Sequence, residues 1–225
     1  MKLGVLLPTF REQATDALAV AAEVVDRGLD GVFAYDHLYP MGSPDRPALA
    51  PFPVLARVAS RHPTLDVGPL VARVGLGSPA TLVAAFRALA AITPGHVIAA
   101  LGTGDSLSRA ENEAYGLTYD DPTTRRSQLD EVLRAVVGFT EVSVGAGSEA
   151  TNELARRRGV ALNVWQKEPS AFPTGAPLTW AGRLDEDVAT HLDRLASAGV
   201  TYVVGVPGTD LGALAQWRES RGFLR

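Results

Sequence analysis

The sequence predicts an α/β fold of the (β/α)8 or TIM-barrel type, in a compact form. Eight short apolar segments suited to β-strands recur along the 225 residues, and most of them are separated by stretches with helical spacing of apolar residues. This alternation is typical of parallel βαβ units, and eight such units close a barrel. An open doubly wound sheet is the alternative, but it needs a glycine-rich turn after the first strand. The chain has Pro8-Thr9-Phe10 there.

The first half of the chain contains three predicted βα units. Their strands are predicted at residues 3–8, 31–35 and 65–74. The third helix has the clearest start, because Ser78 suits a capping position and Pro79 suits the first helical position. Between the second strand and its helix lies a proline-rich loop at residues 39–53. A loop of that length suggests a functional role.

The second half continues the alternation. Its strands are predicted at 96–101, 142–144, 161–165, 178–181 and 201–206. A helix is predicted at about 125–137, and further helices follow the later strands. No stretch resembles a linker, so we expect a single domain over residues 1–225.

Composition excludes several classes of function. The 21 Lys and Arg against 25 Asp and Glu give a net charge of −4, without a long basic block, which argues against nucleic-acid binding. The absence of cysteine excludes disulfides and thiolate ligands, and we expect no metal. No apolar run approaches the roughly 20 residues that cross a bilayer, and no signal peptide is recognisable. We therefore expect a cytoplasmic protein.

The second predicted strand ends in Asp36 and His37, which makes this pair the first candidate for chemistry. Catalytic groups of barrel enzymes lie at the carboxyl ends of the strands. A histidine has an unperturbed pKa of about 6.5 and exchanges protons near neutrality, and an adjacent carboxylate can orient it. The alternative is an Asp that caps a turn beside an exposed His. We expect His62 and His191 at the surface and His96 in a structural role at the opposite end.

Two glycine-rich turns follow other strands. In Gly102-Thr103-Gly104-Asp105, the lack of Cβ atoms would let a flat ring approach the backbone, and Asp105 could accept a hydrogen bond from it. Gly145-Ala146-Gly147-Ser148 enters a helix, whose N-terminus favours a phosphate. Either segment can also be only a tight turn between a strand and a helix.

These motifs occur together in an order that resembles a known family. In sequence they are Gly-Val-Leu-Leu-Pro8, Tyr35-Asp-His-Leu38, Gly68-Pro-Leu-Val71, Gly102-Thr-Gly-Asp105, Glu111-Asn-Glu-Ala-Tyr-Gly116, Arg125 or Arg126, and Leu129-Asp-Glu131. The chain resembles the luciferase-like monooxygenase superfamily and, within it, the branch that depends on coenzyme F420.

The resemblance implies a barrel that binds a deazaflavin at the strand ends and exchanges a hydride with a small organic substrate. It implies His37 as the proton donor or acceptor and Asp36 close to the ring. It also implies a cis non-prolyl peptide near Pro69-Leu70 and a homodimer. The cofactor-binding residues implied in this way are Asp36, Pro69, Leu70, Val71, Gly102, Thr103, Gly104, Asp105, Asn112, Ala146, Gly147, Ser148, Glu149 and Ala150.

The sequence also departs from the family's pattern. The usual Arg after strand three is missing from Gly75–Ser78, and the connections at 138–141 and 166–177 are short. The late connections of the barrel are therefore predicted to be shortened. Two alternatives stay open: an FMN-dependent monooxygenase and a flavin- or deazaflavin-binding relative without catalysis.

Overall fold

The chain forms a barrel of parallel strands. A computed structural model describes residues 1–106, 108–184 and 187–222. These residues contain nine strands in one sheet, whose bounds are as follows. They are β1 (Lys2–Leu6), β2 (Gly31–Ala34), β3 (Asp66–Pro69), β4 (Ala72–Arg73), β5 (Ile98–Gly102), β6 (Glu141–Gly145), β7 (Ala161–Trp165), β8 (Leu178–Gly182) and β9 (Val200–Gly205).

Eight α-helices in the described residues surround the sheet. They are α1 (Thr15–Asp26), α2 (Pro51–Arg61), α3 (Pro79–Ile92), α4 (Ser108–Ala114), α5 (Pro122–Val136), α6 (Glu149–Arg158), α7 (Val188–Ser197) and α8 (Leu211–Ser220). The predicted start of α5 at 125 is wrong by three residues. Asp121 caps this helix by accepting hydrogen bonds from the Thr123 and Thr124 amides, and Pro122 occupies its first turn.

The strand order is β3-β2-β1-β9-β8-β7-β6-β5-β4, and every pairing is parallel. The prediction of one third strand over 65–74 is wrong, because that segment divides into β3 and β4 around residues 70–71. β3 pairs with β2, and β4 pairs with β5. A parallel bridge between Val67 and Val97 brings β3 beside the start of β5. Together, β3 and β4 therefore take the place of one strand in an eight-stranded barrel.

The late connections are short, as expected. β7 and β8 are joined by residues 166–177, whose regular structure is a short 3-10 helix at Pro169–Ala171. Four residues separate the end of α5 from β6. One face of the sheet packs against the helices in a large apolar core, whereas a smaller cluster, which includes Leu6, Phe33 and Tyr202, fills part of the barrel interior.

One of the other histidines, His191, differs from expectation. His191 is only 5% exposed and its ring packs against Trp180 at 5.2 Å between centroids, so the prediction of a surface residue is wrong. The reason is that α7 turns this position toward the sheet. His62 is only half-buried. His96 lies before β5, at the amino ends of the strands, where its Nδ1 is 3.2 Å from Asp66 Oδ1. No helix among the described residues is long and apolar enough to cross a membrane.

Candidate functional site

Asp36 links the exits of two strands at the carboxyl end of the barrel. It follows β2, and its Oδ2 accepts a hydrogen bond of 2.8 Å from the backbone amide of Arg73 on β4. Its carbonyl oxygen accepts a second bond of 3.1 Å from Arg73 Nε. Burial raises the pKa of the Asp36 carboxyl above its ordinary value, although the hydrogen bond and charge of Arg73 oppose that shift. Asp36 therefore holds Arg73 in place.

His37 is bound through one ring nitrogen. Its Nδ1 lies 3.0 Å from Oε2 of Glu111, a residue of α4 that is 74 positions away in the chain. Because a carboxylate can only accept hydrogen bonds, Nδ1 must carry the hydrogen, and Nε2 is the nitrogen left for other partners. The side chain of His37 keeps 19% of its surface exposed. Glu111 thus selects the tautomer of a histidine at the mouth of the barrel.

Glu111 is buried beside the positive charge of Arg73. Its side chain is 2% exposed, and its Oε2 lies 2.9 Å from Nη2 of Arg73, which is also buried. Its other oxygen accepts the backbone amide of Leu38. Burial raises the pKa of this carboxyl, but the hydrogen bonds from His37 and Leu38 and the charge of Arg73 outweigh it, and the net pKa is lowered. Glu111 is therefore ionised at neutral pH.

Aromatic side chains border His37. The ring of Phe10, after β1, stacks on Tyr35 with 4.9 Å between centroids, and each of these rings lies 6.2–6.4 Å from the His37 ring. Trp165, the last residue of β7, lies 6.3 Å from Tyr35 and is partly exposed. Burial raises the pKa of Tyr35 to about 12, so its phenol stays protonated. The mouth therefore offers flat apolar surfaces beside one proton-exchanging group.

The segment Pro69-Leu70-Val71 lies between the two half-strands. The peptide bond between Leu70 and Val71 is cis, one position beyond the Pro69-Leu70 bond that the resemblance implied. The Val71 side chain packs where a Cβ on Gly102 would lie, at only 2.5 Å from that position. A side chain on Gly102 would therefore displace Val71, which explains the glycine at the end of β5.

The turn Gly102–Asp105 is held from two sides. Gly104 has a φ of +70°, a conformation that glycine adopts without strain. Asp105 Oδ1 accepts hydrogen bonds of 3.1 Å from the amide and hydroxyl of Ser108 at the start of α4. Arg125 Nη1 donates to the carbonyls of Thr103 and Gly104, at 2.7 and 3.0 Å. The signature arginine thus fixes the backbone of the turn.

Replacing Arg125 with Ala is expected to lower the free energy of unfolding by about 1–2 kcal/mol, since two carbonyls lose a charged donor. Urea denaturation at pH 7 measures this change. Arg126→Ala is the matched control, because within the described part of the chain Arg126 bonds only to the exposed hydroxyl of Thr123. We expect a change within about 0.5 kcal/mol. Equal losses in both variants would show that the turn does not depend on Arg125.

Asn112 is buried behind the turn. Its Nδ2 donates to the carbonyls of Gly75, at 3.3 Å, and Thr118, at 3.0 Å. Both amide hydrogens are therefore engaged by loops of the protein. In this arrangement Asn112 joins the β4–α3 loop to the α4–α5 loop, and it supports the turn from behind.

The segment Ala146–Ala150 leads into α6. The amide of Ala146 donates to the carbonyl of Asn163, and the amide of Gly147 donates to Asn152 Oδ1. Ser148 is the N-cap, with its Oγ accepting from Thr151. The first-turn amides, at Glu149 and Ala150, have no intrahelical acceptor, as at any helix start. This exposed segment can offer them to an anion, with Ser148 beside them.

Glu111 and Arg73 are the residues of this candidate site that sequence reasoning missed. Glu111 stood within the quoted Glu-Asn-Glu-Ala-Tyr-Gly motif without a role, and Arg73 lay inside the predicted third strand. A signal for Arg73 existed: a charge within an otherwise apolar strand needs a partner when it is buried. The aromatic residues Phe10 and Tyr35 also carried no assigned role. Among the described residues, no group of three His, Cys, Asp or Glu side chains could hold a metal.

The sequence matches a known family model and is similar to F420-dependent dehydrogenases. The family model described as luciferase-like monooxygenase matches residues 1–182. An F420-dependent glucose-6-phosphate dehydrogenase of Kineococcus radiotolerans is 30% identical over 117 residues, which are 52% of this chain and 34% of that protein. An F420-dependent hydroxymycolic acid dehydrogenase of Mycobacterium tuberculosis is 29% identical over 157 residues, 68% of this chain and 41% of that protein.

Solved structures share the fold at low sequence identity. An F420-dependent secondary alcohol dehydrogenase, in complex with an F420-acetone adduct, superposes with a TM-score of 0.79 at 12% identity and covers 96% of this chain and 97% of its own. The F420-dependent tetrahydromethanopterin reductase of Methanopyrus kandleri gives 0.70 at 15% identity, with 96% of both chains covered. The chain spans less than half the length of the curated relatives it matches. Since the family model covers most of the sequence, the chain belongs to the luciferase-like monooxygenase family.

Proposed function

We propose that this protein is an oxidoreductase that uses coenzyme F420 and transfers a hydride between the deazaflavin and a small organic substrate. The observation that carries the proposal is the pairing of His37 Nδ1 with the buried, ionised Glu111 at the barrel mouth. Nε2 of His37 is then available to exchange a proton. The F420-dependent relatives support the choice of cofactor.

The residues present fit such a cofactor. Phe10, Tyr35 and Trp165 supply apolar surfaces for a flat ring. A Cβ on Gly147 would have its nearest neighbour at 3.9 Å, so the chain leaves open space at that point. We assign the segment Ala146–Ala150 to the phosphate, because the first amides of α6 favour an anion. Glu149 beside them is paired with Arg156 at 2.5 Å.

The protein's own contribution is orientation and proton exchange. When bound, F420 supplies the hydride chemistry. Glu111 fixes the ring of His37 so that Nε2 accepts a proton from a substrate hydroxyl or donates one to a carbonyl. Arg73 keeps Glu111 ionised, and Asp36 holds Arg73. Among the residues implied for the cofactor, Asn112 and Asp105 act by holding the turn, through the bonds described above.

A binding protein without catalysis is the second candidate. The observation that favours it is the short β7–β8 connection, which leaves the mouth beside Trp165 with little cover.

A homodimer and a cytoplasmic location, implied by resemblance and composition, stay predictions. Static light scattering of the purified protein measures its oligomeric state.

Cofactor choice is tested by adding F420 or FMN to the purified protein, desalting, and recording the absorbance spectrum. We expect F420 to be retained and FMN to be lost. Turnover is then followed at the F420 absorbance with glucose 6-phosphate and secondary alcohols as probes. Retention of FMN alone contradicts the cofactor assignment. Retention of F420 without turnover on a broad panel of substrates favours the binding protein.

A further inference from the structure

The interior of the barrel is partly hollow below the site. TIM barrels usually fill this space with layers of bulky side chains. Here several inward positions carry small residues, among them Ala100, Ser143, Ala161 and Thr179, and a cavity of about 210 Å³ remains between the strands. An engineered cavity of roughly 150 Å³ holds a benzene molecule. The space is therefore large enough for a ligand of about six to ten non-hydrogen atoms.

The cavity opens away from His37. Three of its lining residues, Lys2, Glu141 and Thr201, are exposed and lie at the amino ends of their strands. Lys2 Nζ is 3.8 Å from Glu141 Oε1 and 2.9 Å from Asp66 Oδ2. Charged side chains that pair with one another therefore border the entrance at the amino end of the barrel. At the inner end Leu70 lines the cavity, while the next residue, Val71, packs at Gly102.

One wall of the cavity is polar. Ser143 is 4% exposed and lines the cavity, where its hydroxyl can donate a hydrogen bond to an occupant or accept one from it. Beside it, Asn163 Nδ2 donates to Thr179 Oγ1 at 3.0 Å, which leaves the Asn163 carbonyl to accept. Both groups can therefore form hydrogen bonds with an occupant that carries a hydroxyl or a carbonyl group.

The opposite wall is apolar. It consists of Phe33, Leu70, Ile98, Ala100 and Val204, with the ring of Tyr202 beside them. Apart from Lys2 and Glu141 at the entrance, no charged side chain in the described part of the chain lines the cavity. A charged ligand would lose its hydration without gaining a counter-ion, which excludes ions from the inner part.

We propose that this hollow is a second binding site, entered from the amino end of the barrel, for a small neutral molecule with an apolar body and one hydroxyl or carbonyl group. The polar group bonds to Ser143 and Asn163, and the body lies against Phe33 and Ile98. The site is separate from the mouth that holds His37, so its occupancy does not depend on the proposed cofactor.

Benzyl alcohol and toluene are suitable probes, since they differ by one hydroxyl group. In calorimetric or ligand-observed NMR titrations of the full chain, we expect saturable binding of benzyl alcohol and about 5–10-fold weaker binding of toluene. Ser143→Ala should weaken benzyl alcohol binding about 5–10-fold and leave toluene within about 2-fold. Ser60→Ala, on the exposed side of α2, should change neither dissociation constant.

A second variant tests the location. Ala100→Leu fills the cavity and should abolish binding of both probes. If that variant does not fold, the Ser143→Ala comparison still decides. The proposal is overturned if the wild-type protein binds neither probe saturably, which would mean a cavity that holds only water. It is overturned equally if Ser143→Ala weakens the two probes alike or if folded Ala100→Leu binds them unchanged.

Discussion

His37→Gln is expected to lower kcat by about 10²–10⁴-fold, the usual contribution of a positioned general acid or base. Glutamine can form hydrogen bonds at this place, but it cannot exchange a proton near neutral pH. The dissociation constant of F420 should change by only a few-fold, because the ring of His37 is one of several groups at the mouth. The measurement is steady-state turnover with the substrate found in the panel, together with a direct titration of F420.

The matched control for this variant is His62→Gln. His62 lies at the end of α2, outside the site, and its substitution should leave kcat within about 2-fold. If weaker binding of F420 accounts for the entire loss of turnover in His37→Gln, then His37 binds the cofactor and does not transfer the proton. Unchanged kcat in that variant would remove it from the mechanism altogether.

Glu111→Ala is expected to lower the free energy of unfolding by about 3–5 kcal/mol. The substitution leaves the guanidinium of Arg73, 5% exposed, without its carboxylate partner. It also removes the acceptor of the Leu38 amide and of His37 Nδ1. Urea denaturation at pH 7 gives the value. Glu113→Ala on the same helix is the control, since Glu113 is exposed and pairs with Arg109 only at 4.0 Å; its effect should stay within about 0.5 kcal/mol.

The same residue predicts a pH dependence. The pKa of Glu111 is lower in the folded protein than its ordinary value of 4.5, so the folded state binds the proton less tightly than the unfolded state. The stabilisation is complete above about pH 4.5 and is lost as pH falls through the folded pKa. We expect the difference in unfolding free energy between the wild type and Glu111→Gln to shrink from pH 6 to pH 3.5. A difference that grows over this range would contradict the assigned charge of Glu111.

Much of the fold follows from local patterns. Apolar strands alternate with helical spacing along the chain, and this alternation predicted a barrel because each element's period is a property of neighbouring residues. The same logic placed Asp36 and His37 at a strand exit, where the structure has them. It failed at residues 70–71, because the division of the third strand depends on how the backbone pairs with β2 on one side and β5 on the other.

The candidate site needed more than local pattern. The sequence placed His37 at the mouth, but it could not choose between a nearby Asp36 and a distant Glu111 as the group that orients its ring. The structure gives Glu111 that position and turns Asp36 toward Arg73. The partners of Asn112 could not be predicted either. Its buried amide donates to the carbonyls of two loops, and no spacing in the sequence indicates these contacts.

The sequence by itself determined the class of fold, the face of the barrel that carries chemistry, and the family-like order of motifs. The tertiary structure alone decided the set of Arg73, Glu111 and His37 and the hollow interior lined by Ser143 and Asn163. The physical reason is distance along the chain. Groups on β4, α4 and the β2 exit meet only when the barrel closes, and the space left inside it depends on the side chains of all its strands together.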